Sequence, residues 1–274
     1  MGRPEMPVRE PPTAPDDVLN EQDVEFHRAT AGEYDESITA TYRIYHEYEL
    51  LPLLDQLGPE RVRALDVGCG TGAVALELAM RGHETLGLDH SPEMLEIARN
   101  RARALGVEAS LELRQADVRR LPIGDDQFDF VAAQGVLHHL PRPEVCLSEM
   151  ARVLRPGGTF FISEPCLPAP SIVRIWEALI RIAKAVRRRL GTRPEQKHAG
   201  LAPGEGPISA AGLCNALDSL GLQYQARYLS HLQLLERLLP DRARLAVTRL
   251  ISAPWRRRRG SLIFVTWQKP VSKP

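Results

Sequence analysis

Short apolar runs alternate with longer amphipathic stretches between residues 58 and 165. The apolar runs include "VRALDV", "ETLGLD", "SLELRQAD", "FDFVAAQG" and "TFFISEP", and helical spacing of apolar residues marks stretches such as "SPEMLEIARNRARALG". Strands that alternate with helices predict βαβ units and therefore a parallel sheet. Farther along the chain, "SAAGLCNALDSLGL" predicts a helix capped by Ser209, and "QYQARYL" and "SLIFVTW" predict two more strands.

These patterns divide the 274 residues into five predicted segments. The first, residues 1–20, is rich in proline and charge, and such a composition predicts disorder because it buries too little apolar surface to offset chain entropy. We expect the others to be a helical N-terminal cap, an α/β core, a basic amphipathic insert, and a C-terminal part with one helix, two strands and a helical insert. Their predicted bounds are 21–57, 58–165, 166–208 and 209–274.

Charge and cysteine content argue against several classes of protein. The 35 basic and 35 acidic side chains balance, so no overall field attracts a polyanion, and nucleic acid is not expected as a partner. The four cysteines lie far apart without the spacing of a metal site, so no metal is expected. The N-terminus has no apolar signal region and no segment approaches eighteen uncharged apolar residues, which predicts a cytoplasmic protein.

The segment "ALDVGCGTG", residues 64–72, predicts a strand, a tight glycine turn and the start of a helix. Gly68, Gly70 and Ala73 fit the spacing of a dinucleotide loop, whereas no Lys-Ser/Thr pair follows, which excludes a nucleoside triphosphate P-loop. Asp89 ends the second predicted strand, and its carboxylate suits the ribose hydroxyls of either NAD or an adenosyl cofactor.

Two further acids favour the adenosyl cofactor. Asp66, two residues before Gly68, would be repelled by a pyrophosphate but stabilised by a cationic amino group such as the methionyl ammonium of S-adenosylmethionine. Asp117 follows the third predicted strand, where its carboxylate suits an adenine amine while the Val118 amide donates to the ring. Taken singly, Asp89 and Asp117 also suit helix capping, so their joint placement carries the prediction.

The successive motifs "LDVGCGTG", "LGLDHSPEMLEIAR", "ADVRRLPIGDDQFDFVAAQGVLHHL" and "MARVLRPGGTFFISEP" resemble those of class I S-adenosylmethionine-dependent methyltransferases. The resemblance covers residues 61–165 and is to the small-molecule and lipid branch that includes quinone-biosynthesis enzymes. It implies a Rossmann-like α/β fold, with a seven-stranded, mostly parallel sheet whose last strand is antiparallel. It also implies a set of cofactor contacts: Asp66, Gly68, Gly70, Asp89, Met94, Asp117, Val118 and Gln134.

Tyr34 resembles the N-terminal tyrosine that reaches over the methionyl carboxylate in some relatives, although a structural tyrosine is an equal alternative. "QGVLHHLPRPE" follows the fourth predicted strand and places His138 and His139 near the transferable methyl. A histidine there suits removal of the acceptor's proton, and similar His-His pairs in natural-product methyltransferases favour His139. Either histidine alternatively packs against the following helix, and Glu164 is a reserve candidate for orienting the substrate.

Two arginine-rich amphipathic stretches, "SIVRIWEALIRIAKAVRRRLG" and "LQLLERLLPDRARLAVTRLISAPWRRRRG", follow the fifth and sixth predicted strands. They suggest peripheral docking on an anionic membrane and a lipid-like acceptor of methyl at oxygen, nitrogen or carbon. The alternatives are a soluble natural-product methyltransferase whose inserts merely cover the core, and a cofactor-binding protein without activity. Asp66 and the lack of a Tyr-x-x-x-Lys catalytic pair argue against an NAD-linked oxidoreductase. The sequence does not indicate the oligomeric state.

Overall fold

The alternating pattern folds into one seven-stranded sheet with helices between the strands. The computed structural model describes residues 50–165, 208–229 and 262–271. The strands are β1 Arg63–Val67, β2 Glu84–Asp89, β3 Leu111–Gln115, β4 Phe128–Gln134, β5 Leu154–Pro165, β6 Gln225–Leu229 and β7 Leu262–Gln268. The helices are α1 Leu51–Asp55, α2 Ala73–Met80, α3 Pro92–Leu105, α4 Pro143–Val153 and α5 Ala210–Ser219, and a 3-10 turn spans Leu137–His139.

The strand order is β3-β2-β1-β4-β5-β7-β6, with β7 antiparallel to both of its neighbours and every other pairing parallel. The predicted fold class, a mostly parallel seven-stranded sheet whose last strand is antiparallel, is confirmed. Because β1 pairs with both β2 and β4, the chain order reverses at β1. An open sheet binds its ligand beyond the carboxyl ends of the strands at such a switch point.

Both faces of the sheet are buried, as a parallel sheet requires. In β1, Leu65 and Val67 lie in the apolar cluster that includes residues of α4 and α5. Side chains alternate between the two faces of a strand, so Ala64, which precedes Leu65, lies on the other face. There it belongs to a second apolar cluster with Leu54 of α1 and Leu78 of α2. The end of the predicted N-terminal cap, α1, therefore packs on the sheet, while residues 21–49 of that cap lie outside the described residues.

Local capping signals set the helix that follows β2. The hydroxyl of Ser91 accepts a hydrogen bond from the Met94 amide at 3.2 Å, and Pro92 occupies the first helical position. Gly106 ends the helix at φ 69°. The predicted cap of the later helix is also confirmed, since the hydroxyl of Ser209 accepts from the Gly212 amide at 2.9 Å.

Strands β5 and β6 end at the same edge of the sheet. Pro165 and Leu229 both lie opposite Leu262 in the strand register, so residues 166–207 and 230–261 begin beside the carboxyl ends of the parallel strands. The predicted amphipathic helices lie in these two segments, which are outside the described residues. Among the residues that the structure describes, no helix is long and apolar enough to cross a bilayer.

Candidate active site

The glycine loop between β1 and α2 is held in a tight turn. The Gly72 amide donates to the Cys69 carbonyl at 2.8 Å, and the Cys69 amide donates to the Leu88 carbonyl of β2 at 2.9 Å. Two glycines have distinct surroundings. A side chain at Gly68 (φ 66°) would overlap the buried Val136, whereas no described atom lies within 4 Å of the position that a Cβ would take at Gly70 (φ 52°). Gly68 is therefore packed, and Gly70 borders open space at the switch point.

Asp89 connects this loop to helix α3. One of its carboxylate oxygens accepts from the Gly70 amide at 2.8 Å and the other accepts from the Ser91 amide at 2.9 Å. The residue is only 7% exposed. Each carboxylate oxygen retains a further lone pair, so the group suits a pair of ribose hydroxyls while it holds the loop.

Asp66 is a buried carboxyl whose charge has little compensation. It is 1% exposed, and its Oδ2 accepts from the Ala75 amide in the first turn of α2 at 2.9 Å. Burial is the main reason that its pKa rises to about 8, the nearby charge of Asp89 adds to the rise, and the Ala75 amide opposes it. A cationic group beside this carboxyl would reverse the shift, so the site fits an ammonium better than a phosphate.

Asp117 has a partner within the protein, Arg119, that the sequence did not predict. It lies two residues beyond the end of β3, and its two oxygens accept from the Arg119 guanidinium at distances from 2.6 to 3.1 Å. Burial acts to raise the pKa of Asp117, but the hydrogen bonds and charge of Arg119 outweigh it and hold the pKa below its ordinary value. The carboxylate is thus fixed as an anion, and an adenine amine would have to share it with Arg119.

The remaining predicted cofactor residues lie near the same edge of the sheet. Met94 in the first turn of α3 is 4% exposed, and Val118 is 8% exposed. Gln134 is the half-buried last residue of β4. Tyr34 lies outside the described residues, so its predicted contact stays a prediction.

The histidine turn, Leu137–His139, follows β4, and its two imidazoles contact each other with ring centroids 3.9 Å apart. The Nδ1 atom of His138 lies 2.8 Å from Oε2 of Glu164 in β5. Glu164 is fully buried, and its Oε1 accepts from the backbone amides of Val136 and Leu137, each at 2.8 Å. The reserve candidate Glu164 therefore contacts His138, whereas the resemblance to natural-product methyltransferases favoured His139.

Sequence reasoning missed two parts of this arrangement. Arg119 was not assigned a role, although its position two residues after an acid in "ADVRR" is a signal for such a pair. Val136, which packs against Gly68, had no signal in the sequence because the contact joins two loops that follow different strands.

Comparison with known proteins agrees with this geometry. Residues 65–162, which run from β1 to β5, match the family model described as a methyltransferase domain. The chain carries a class I methyltransferase domain. The match includes the glycine loop, Asp66, Asp89 and the histidine turn, and S-adenosylmethionine is the methyl donor that the family implies.

Curated relatives resemble this methyltransferase domain over part of their length. The chain is 42% identical to the methyltransferase GfsG of Streptomyces halstedii over 103 residues, which are 37% of each protein. It is 44% identical to a phosphatidylethanolamine N-methyltransferase of Cereibacter sphaeroides over 102 residues, 36% of this chain and 49% of that protein. It is 32% identical to a demethylmenaquinone methyltransferase of Lactobacillus johnsonii over 132 residues, which are 47% of this chain and 54% of that protein. The matches thus span only 37% to 54% of these relatives' lengths.

Solved structures with the same fold match a larger share of this chain than the curated relatives do. The protein solved in complex with the Trm112 methyltransferase activator of Haloferax volcanii is 20% identical, with a TM-score of 0.58, and the match covers 92% of this chain and 99% of that one. A SAM-dependent methyltransferase of Aquifex aeolicus is 16% identical, with a TM-score of 0.53 over 88% and 96%. At these identities the likeness shows the fold alone.

Proposed function

We propose that this protein transfers the methyl group of S-adenosylmethionine to a small acceptor molecule. The observation that carries the proposal is the buried, poorly compensated carboxyl of Asp66 below a glycine loop whose Gly70 borders open space. S-adenosylmethionine supplies an electrophilic sulfonium methyl together with an ammonium group. Asp66 would pair with that ammonium, and Asp89 would accept from the ribose hydroxyls.

The other residues of the site have roles that follow from their positions. The Val118 amide and the Asp117 carboxylate would bind the adenine, with Met94 against its ring. His138 and His139, which follow β4, would orient the acceptor or remove its proton. The main work of the chain is then to hold the acceptor in line with the methyl, since positioning supplies much of the rate in such a displacement.

Titration of the full chain with S-adenosylhomocysteine tests this proposal. We expect binding that strengthens by about 20-fold between pH 6 and pH 7.5, because Asp66 is protonated below a pKa of about 8 in the free protein and must ionise to pair with the ligand ammonium. Binding therefore releases a proton, and affinity rises with pH. Calorimetry in buffers of different ionisation enthalpy measures both quantities.

Two controls sharpen the titration. The Asp66→Asn variant keeps an acceptor oxygen for the Ala75 amide but has no charge to gain, so its weaker binding should not depend on pH. NADH should produce no heat above pH 8, because its pyrophosphate would then lie beside the ionised Asp66. Binding of NADH in place of S-adenosylhomocysteine would contradict the proposal.

We further propose that the acceptor is hydrophobic or lipid-like and is met at an anionic membrane surface. Residues 166–207 and 230–261 begin at the edge of the sheet where the site lies, and each contains an arginine-rich amphipathic stretch. Two relatives are named for phosphatidylethanolamine and demethylmenaquinone, which carry long apolar chains. These observations support an acceptor of the same character.

Vesicle sedimentation tests the membrane contact. We expect the full chain to sediment with vesicles containing 30% phosphatidylglycerol and to remain in solution with pure phosphatidylcholine, because about 1 kcal/mol of attraction is gained per basic residue near an anionic surface. Raising the salt concentration should release the protein. Equal sedimentation with both kinds of vesicle, or with neither, would contradict the proposal.

A further inference from the structure

Glu164 occupies an unusual place for a carboxylate. It is fully buried in β5, directly beside the turn that follows β4. Its Oε1 accepts from the amides of Val136 and Leu137, and its Oε2 lies 2.8 Å from the Nδ1 atom of His138. The same side chain therefore fixes both the backbone of the histidine turn and one edge of an imidazole ring.

We propose that Glu164 is a positioning residue that makes His138 the general base, and that the acceptor is a phenol or enol methylated on oxygen. The proposal rests on the methyltransferase function proposed above. In the step, the hydroxyl proton moves to Nε2 of His138 while the acceptor oxygen forms a bond to the methyl carbon. The carbon–sulfur bond breaks with its electron pair remaining on sulfur, which yields S-adenosylhomocysteine, the methyl ether and an imidazolium.

The contact between Glu164 and His138 sets the tautomer of the ring. A carboxylate is only an acceptor, so Nδ1 carries the hydrogen, and in the neutral ring Nε2, across the ring, keeps a lone pair for the acceptor proton. The ring of His139, tilted by 39° against that of His138, limits how far the base can rotate. The carboxylate also stabilises the imidazolium once the proton has arrived.

This arrangement selects the acceptor class. A phenol or an enol loses a proton as its oxygen is methylated, and it gains most from a base aligned in advance. A carboxylic acid is already ionised at neutral pH and needs no such base. The buried pair of Glu164 and His138 would therefore serve no purpose for a carboxylate acceptor.

The Glu164→Gln variant tests the proposal sharply. The glutamine carbonyl is needed by the two backbone amides, so its amide nitrogen faces Nδ1 of His138 and donates to it. The ring then carries its hydrogen on Nε2 and has no lone pair for the acceptor proton. We expect to observe this tautomer change in nitrogen-15 spectra of the full chain with S-adenosylhomocysteine, in which the His138 signals are assigned by their loss in His138→Gln. We also expect kcat toward catechol and 1-naphthol to fall by about 100-fold or more.

Other measurements separate this role from a purely structural one. Affinity for S-adenosylhomocysteine should stay within twofold in Glu164→Gln, and the Glu164→Gln/His138→Gln double variant should be no slower than His138→Gln alone. A matched control is Glu149→Gln, because Glu149 also accepts from a backbone amide, that of Leu121, but belongs to α4 and pairs with Arg152. That variant should keep both tautomer and kcat.

Several results would overturn the proposal. A hydrogen on Nε2 of His138 in the wild-type protein would do so without any variant. So would an unchanged tautomer in Glu164→Gln, a loss of activity in His139→Gln but not in His138→Gln, or transfer to benzylamine but not to the phenols. Failure of the wild-type chain to bind S-adenosylhomocysteine would instead contradict the proposed function, since the tautomer is measurable with or without that ligand.

Discussion

Replacing Gly70 by alanine will weaken S-adenosylhomocysteine binding by about 5- to 150-fold, because overpacking typically costs about 1–3 kcal/mol. The added methyl would project into the open space beside the glycine loop, where the ligand would contact the backbone. The Gly70 amide would still donate to Asp89, so the substitution adds volume without removing a hydrogen bond. Calorimetric titration of the variant at a fixed pH measures the change.

Gly82→Ala is the matched control. Gly82 has a φ of 85°, again with no described atom within 4 Å of the added methyl, but it precedes β2 at the opposite edge of the sheet. Both variants should lose about 1–2 kcal/mol of unfolding free energy from the left-handed backbone conformation. Only Gly70→Ala should lose ligand affinity. Equal affinities in the two variants would place the ligand away from Gly70.

The sheet could be predicted from sequence because its signals are local. The strands β1, β2 and β4 are short, mostly buried runs, and the helices between strands have their own cap or breaker, such as Ser91 and Gly106 around α3. The acids Asp66 and Asp89 could be placed for the same reason, since both lie at or near the end of a strand. Parallel strands bring such ends together without any knowledge of the side-chain contacts.

Contacts between side chains that are far apart in the sequence could not be predicted from these local signals. Glu164 meets His138 across 26 residues, and the contact depends on the register in which Gln134 of β4 lies opposite Ser163 of β5. A shift of one residue would turn Glu164 to the other face of the sheet. The pairing of Arg119 with Asp117 was missed for another reason, because arginine–acid pairs that are close in the sequence are common and usually contribute little.

Gly68→Ala should be more destabilising than Gly70→Ala or Gly82→Ala. The alanine methyl would overlap one Val136 methyl and approach the other to 3.0 Å, and Val136 is only 8% exposed. Strain from the φ of 66° adds to this overlap. We expect a loss of about 2–5 kcal/mol of unfolding free energy in urea titrations, compared with about 1–2 kcal/mol for Gly82→Ala.

A double variant distinguishes overlap from backbone strain. In Gly68→Ala/Val136→Ala the clashing methyl groups are gone, so the variant should be about 1–3 kcal/mol more stable than the sum of the single losses predicts. Gly82→Ala and Val136→Ala should add within about 0.5 kcal/mol, because the two positions lie at opposite edges of the sheet. Additive losses for Gly68→Ala and Val136→Ala would show that the Val136 side chain moves aside at no cost in stability. Coupling would instead show that the glycine loop and the turn bearing His138 are packed against each other through Gly68 and Val136.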